Sequence, residues 1–186
     1  MPPQAVTADT LLADALMADE DLYARFTAYC PVFRRFARVL LREDTANRLR
    51  LADIANMVGV PASDLVAIAH GAEVPPPQPA ADPVDPPTRP AWLEGENGGP
   101  QHMYRLDVRP MLESGHEPLP DILRTTDRLV PGEILALDAT FHPVPLRRLL
   151  GSYGYASYAE SLSPDHWRVF FRREAIPGCA CGRGER

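Results

Sequence analysis

In the first third of the chain, apolar residues recur every three or four positions. In the last third they alternate or run together. LLADALM (11–17), DLYARFTAY (21–29) and PVFRRFARVLLR (31–42) each carry an apolar stripe at helical spacing. In the third segment Phe33, Phe36 and Leu40 share one face, and Arg34, Arg38 and Arg42 share another. Asp9 or Thr10 can cap the first helix, and the acidic run Asp19-Glu20-Asp21 suits the positive end of the second. Leu51–Val58 and Ala62–Ala69 follow, separated by Gly59-Val60-Pro61-Ala62-Ser63, a stop followed by proline and a fresh serine cap. Helices this short depend on packing rather than propensity. Residues 1–71 are therefore expected to form a small all-helical domain.

Beyond residue 102 the period changes. MYRLDV places Tyr104, Leu106 and Val108 on one strand face, Asp121–Leu129 is helical, and GEILALDA is a nearly continuous apolar strand. Leu146–Leu150 begins another helix, and Tyr155–Leu162 and Trp167–Phe171 flank the turn Ser163-Pro164-Asp165-His166. The order β-α-β-α-β-β predicts an α+β chain whose residues 103–175 form a two-layer sandwich, both helices on one sheet face. A right-handed crossover makes the first two strands parallel, which brings loops 109–118 and 139–145 to the same edge. Each loop enters its helix through Pro-x-Pro, as HEPLPDIL (116–123) and FHPVPLRRLL (141–150). Proline at the first helical turn loses no hydrogen bond, and the other free N–H groups there point at the shared edge. Asp107, Arg109, His116, Glu117 and His142 are the candidate ligand-binding residues of that edge, with His166 placed away from it. His116, Glu117 and His142 also make a candidate facial set for a transition metal. The alternative is that Glu117 caps its helix and the histidines are solvated.

Composition narrows these readings. VPPPQPAADPVDPPTRP (74–90) holds eight of the 21 prolines, so residues 72–102 are expected to be a disordered, semi-rigid linker whose Trp92 docks on another part of the protein. That linker carries −4 of the formal −6, leaving both lobes nearly neutral. The 19 basic residues are all arginine, which rules out lysine Schiff-base chemistry and a phosphate-loop lysine. LADIANMVGVPASDLVAIAHG resembles a helix-turn-helix, but its second helix offers only Asp64 and His70 where a DNA reader needs Arg, Lys, Asn or Gln. A nucleic-acid partner and a DNA-binding regulator are thus disfavoured. No apolar run reaches a membrane span, and MPPQAVTADT lacks a leader pattern, so a cytoplasmic protein without a membrane partner is expected. Cys30 reads as a packing residue. In the tail, 176–186, Cys179 and Cys181 lie near Arg173 and Arg183 and form a candidate thiol pair, able to hold a soft metal or exchange with a partner thiol.

Leu106-Asp107-Val108-Arg109 and Pro118-Leu119-Pro120 carry a resemblance. The segment Leu106–Arg173 resembles the TusA-like superfamily of small sulfur-carrier folds. It is most similar to an uncharacterised branch found near hemerythrin-like and nitrogen-oxide-handling proteins. That family's motif runs L-D-x-R-G-L-x-C-P-x-P, with a persulfide-bearing Cys, and Glu117 stands in its place. The resemblance implies the fold but not the sulfur transfer, since a carboxylate cannot carry a persulfide. Residues 8–71 resemble a small helical domain associated with hybrid-cluster proteins, some of which carry a Cys-x-x-Cys-like pair where this chain has only Cys30. The expected function is a non-catalytic accessory protein that binds a small ligand or protein partner, in the redox or nitrogen-oxide context that the resemblance implies. The rival is a thiol-based sulfur-transfer or redox protein using Cys179 and Cys181.

Overall fold

A computed structural model describes residues 5–78, 80–94 and 102–174. Six helices come first: α1 (Leu12–Ala18), α2 (Leu22–Tyr29), α3 (Phe33–Leu40), α4 (Glu43–Ala46), α5 (Leu51–Val58) and α6 (Ala62–Ala69). A one-turn helix α7 (Ala91–Glu94) precedes β1 (Met103–Asp107), α8 (Arg109–Glu113), α9 (Leu119–Asp127), β2 (Ile134–Ala139), α10 (Val144–Ser152), β3 (Tyr155–Ser163) and β4 (His166–Arg173). The chain is α+β, helical first and then built on a four-stranded mixed sheet with helices. The short α4, α7 and α8 were not expected, because four or five residues cannot show a helical period. At α6 the expected serine cap is absent: Pro61 occupies the cap position, and the Ser63 hydroxyl turns to Asp64.

The sheet order is β1-β2-β4-β3, with β1 and β2 parallel and the other two pairings antiparallel. β2, the nearly continuous apolar run, is buried along its whole length. Its two faces meet different partners. Leu135, Leu137 and Ala139 join one buried cluster with Ile122 and Leu123 of α9 and Leu149 of α10. Ile134 and Ala136 point the other way and pack with Phe170, Tyr158, Trp92 and Leu93. Trp92 therefore does dock, on the sheet face opposite the helices.

The helical lobe joins the same buried cluster: Phe26, Phe33 and Ile54 are continuous with Leu149 and Phe171. α5 packs on α10, and Arg48 pairs with Asp127 of α9. Residues 80–90 run along this junction instead of standing off as a free spacer. The Arg148 guanidinium donates to the Ala80 carbonyl at 2.6 Å and to Asp82 at 2.9 Å. Asp85 binds Arg147, and Arg89 pairs with Glu160 while lying over the Phe170 ring. Proline content set the expectation of a free linker. The acidic residues between the prolines tie the segment down.

Gly59 makes the Arg148 contact possible. It ends α5 at φ +82, and a Cβ there would sit 2.5 Å from an Arg148 nitrogen. Gly71 has the same backbone conformation with nothing within 4 Å. Gly71→Ala should cost about 1 kcal/mol for the left-handed backbone alone. Gly59→Ala should cost measurably more in urea unfolding, because it also displaces Arg148 from the 80–82 segment.

Candidate functional site

Parallel pairing of β1 with β2, in register from Met103↔Ile134 to Asp107↔Asp138, brings both following loops to one edge. Pro118 caps α9 and Pro120 lies in its first turn. Pro143 and Pro145 hold the same places at α10. Rings replace N–H groups at both gates, so the edge is less polar than two bare helix starts would be. Pro118, Pro143 and Pro145 line a cleft of about 260 Å³, with Val108, Ala139 and Ile122 behind them. The opposite wall comes from the helical lobe, as Phe36 and Val39 of α3 and Met57 of α5. The charged groups lining the cleft are Glu117 and Arg35.

Glu117 is half-buried. Burial pushes its carboxyl above the ordinary range, and the Leu119 N–H and the guanidiniums of Arg42 and Arg38 offset part of that rise. The α9 start thus holds a carboxyl in apolar surroundings, where its charged form is disfavoured.

The other candidates scatter. Asp107 and Arg109 face each other in a two-pronged pair, Nε–Oδ1 at 2.9 Å and Nη2–Oδ2 at 2.6 Å. Those hydrogen bonds hold the Asp107 carboxyl below its usual value. His116 is exposed, with Nδ1 2.8 Å from the Ser114 hydroxyl. His142 stacks on Trp167 at 4.6 Å between ring centres, and its Nε2 accepts from Arg147 at 2.9 Å. Arginine can only donate, so Nε2 is unprotonated there. Burial and the Arg147 charge lower the His142 pKa. His116, Glu117 and His142 thus have separate partners. Among the described residues no group of three or more His, Cys, Asp or Glu side chains gathers to hold a metal. Cys179 and Cys181 lie outside the described residues.

His166 requires a correction. β4 runs antiparallel to β2, so its first residues return to the edge where β2 ends, with Ala139 opposite Trp167. His166 Nε2 lies 2.7 Å from Asp138, which also accepts from Arg168 Nε at 2.9 Å. Burial would raise the Asp138 pKa, but the hydrogen bonds of Arg168 and His166 outweigh it and hold the carboxyl below its usual range. The residue signal was available: Asp138, the carboxylate inside the buried apolar run ILALDA, must find a cation.

Arg147, which the sequence leaves as either a solvent-exposed residue or a ligand contact at the start of its helix, is instead buried against the protein's own groups. Its side chain is 1% exposed. Asp85 takes both its terminal nitrogens, at 2.8 and 2.6 Å, and the Ser157 hydroxyl accepts from Nε at 3.1 Å. Asp85 Oδ1 also accepts the Ala159 backbone N–H of β3 at 3.1 Å. A double arginine between leucines in PLRRLL places one guanidinium on the inward face, which is the sequence trace of this anchor.

Residues 105–173 match the model of a family described as "Uncharacterized conserved protein (DUF2249)". No curated protein and no solved structure matches the chain. The matched segment contains both proline gates and all of the sheet but the first two residues of β1. Phe36, Val39 and Met57, the opposite wall of the cleft, lie outside it.

Two outcomes test this geometry. Glu117 has a folded pKa above its ordinary 4.5, so its stabilising contribution is full below that pH and is lost as pH rises through the folded value. Glu117→Gln should therefore melt higher than the parent near neutral pH, with the difference vanishing in acid. Asp85→Ala leaves a buried guanidinium unneutralised and should lower the unfolding free energy by about 3 kcal/mol in denaturant titrations.

Proposed function

We propose that this protein is a non-catalytic accessory protein that binds a small ligand in the cleft between its two lobes. The observation that carries the reading is the convergence of both Pro-x-Pro gates on one apolar cavity with a half-buried carboxyl in its wall. Concave, mostly apolar sites with a few polar groups are where small molecules bind. At about 30 Å³ per water-sized group, the cavity holds on the order of nine non-hydrogen atoms, so the ligand is small. The TusA-like layering of the sheet domain belongs to this proposal, as does the redox or nitrogen-oxide context. Both are supported by the motif residues 106–109 and 118–120. In that reading the gate of a sulfur carrier is kept, its nucleophile is replaced by Glu117, and binding replaces transfer.

The test uses n-hexanol, an uncharged ligand of the right size, followed through methyl resonances. Ile122, Leu119, Leu112 and Val39 should shift together, and Val39→Trp, which fills the cleft from the helical wall, should abolish the response. Shifts elsewhere, or a Val39→Trp protein that responds like the parent, would count against the cleft as the site.

A further inference from the structure

The helical wall brings charge as well as apolar surface. Arg35 lines the cleft, and Arg38 and Arg42 lie close enough to act on the Glu117 carboxyl. All three are exposed, and among the described residues none lies within ion-pairing distance of a carboxylate. The nearest acidic residues in sequence, Glu43 and Asp44, occupy the first turn of α4, where the helix dipole accommodates them. The described arginines at the lobe junction behave otherwise: Arg48, Arg147 and Arg148 each hold a carboxylate. Arg42 and Arg38 therefore act on one carboxyl whose charged form is disfavoured by burial, and Arg35, likewise unpaired among the described residues, lines the same cleft.

Resting on the cleft-binding reading above, we infer that the ligand is a short amphiphile with an anionic head, of the class of small carboxylates with an aliphatic or aromatic body. Its body lies among Val39, Leu112 and Ile122, and its head meets Arg35, Arg38 and Arg42. Guanidinium suits this head because its planar donors match a carboxylate, and it keeps its charge at every working pH. Glu117 sits beside the head and limits its affinity. A neutral side chain there removes the repulsion and keeps the hydrogen-bonding capacity.

The experiment compares hexanoate, hexylammonium and n-hexanol, one chain with three heads, titrated into the full chain and followed at the same methyl groups. Hexanoate should bind about fivefold tighter than hexylammonium, the size of effect that partly exposed charge pairs reach. Arg35→Gln with Arg38→Gln should bring hexanoate down to the affinity of hexanol while leaving hexanol unchanged, which also shows that the cleft is still formed. Glu117→Gln should tighten hexanoate and weaken hexylammonium. Equal or tighter hexylammonium binding, or hexanoate binding indifferent to the arginines, overturns the anionic head and leaves the cleft intact as a site. If none of the three reaches the cleft, the ligand class and the binding reading fall together.

Discussion

The Arg147 guanidinium, almost wholly out of contact with solvent in the first turn of α10, constrains more of this molecule than any other charged group. An ion taken from water costs several kcal/mol unless its hydrogen bonds are replaced. Asp85, Ser157 and His142 replace them, each from a different part of the chain. The segment carrying Asp85 must then lie along α10 and β3. The His142 ring must present an unprotonated nitrogen, which fixes its tautomer and leaves its face on Trp167. Because His142 belongs to the second gate, one buried charge sets the position of the linker, the closing strand and one lip of the cleft together.

Its neighbour Arg148 does related work across the lobe junction. It reaches the Val58 carbonyl and lies over Gly59, where no side chain stands in its way. The helical lobe is thereby held against the sheet domain at the distance that leaves room for the cleft between α3 and the gates. Glu117 works against this economy. Its carboxyl would be more stable in water, and the helix N-terminus and the guanidiniums of Arg42 and Arg38 only partly offset its burial.

Much of the fold was legible because it rests on period. Leu51–Val58 and Ala62–Ala69 agree residue for residue with their helices, and the parallel pairing of β1 with β2 follows from handedness alone. The gates were legible for the same reason, since proline position is a local property. Partner choice was not. Nothing local in VPPPQPAADPVDPPTRP says that Asp82 and Asp85 will find adjacent arginines more than sixty residues away. The place of His166 is not legible in its own turn, because only the antiparallel return of β4 alongside β2 carries it to the edge where β2 ends. The α3 wall escaped notice because the cleft belongs to neither lobe by itself. Each lobe, read alone, shows an ordinary exposed surface.

The hydrogen bond from the Ala159 N–H to Asp85 reaches beyond stability. β3 is an outermost strand, and its outward N–H groups are a template on which another chain could pair. The linker carboxylate blocks that template at its middle, and Arg89 pairs with Glu160 one residue further on. β1, the strand at the other margin, is largely exposed and hydrogen-bonds only to β2 within the sheet. Among the described residues the sheet is therefore lopsided: the β3 flank is closed by the protein's own chain, and β1 is the flank on which sheet extension, whether productive or pathological, would proceed.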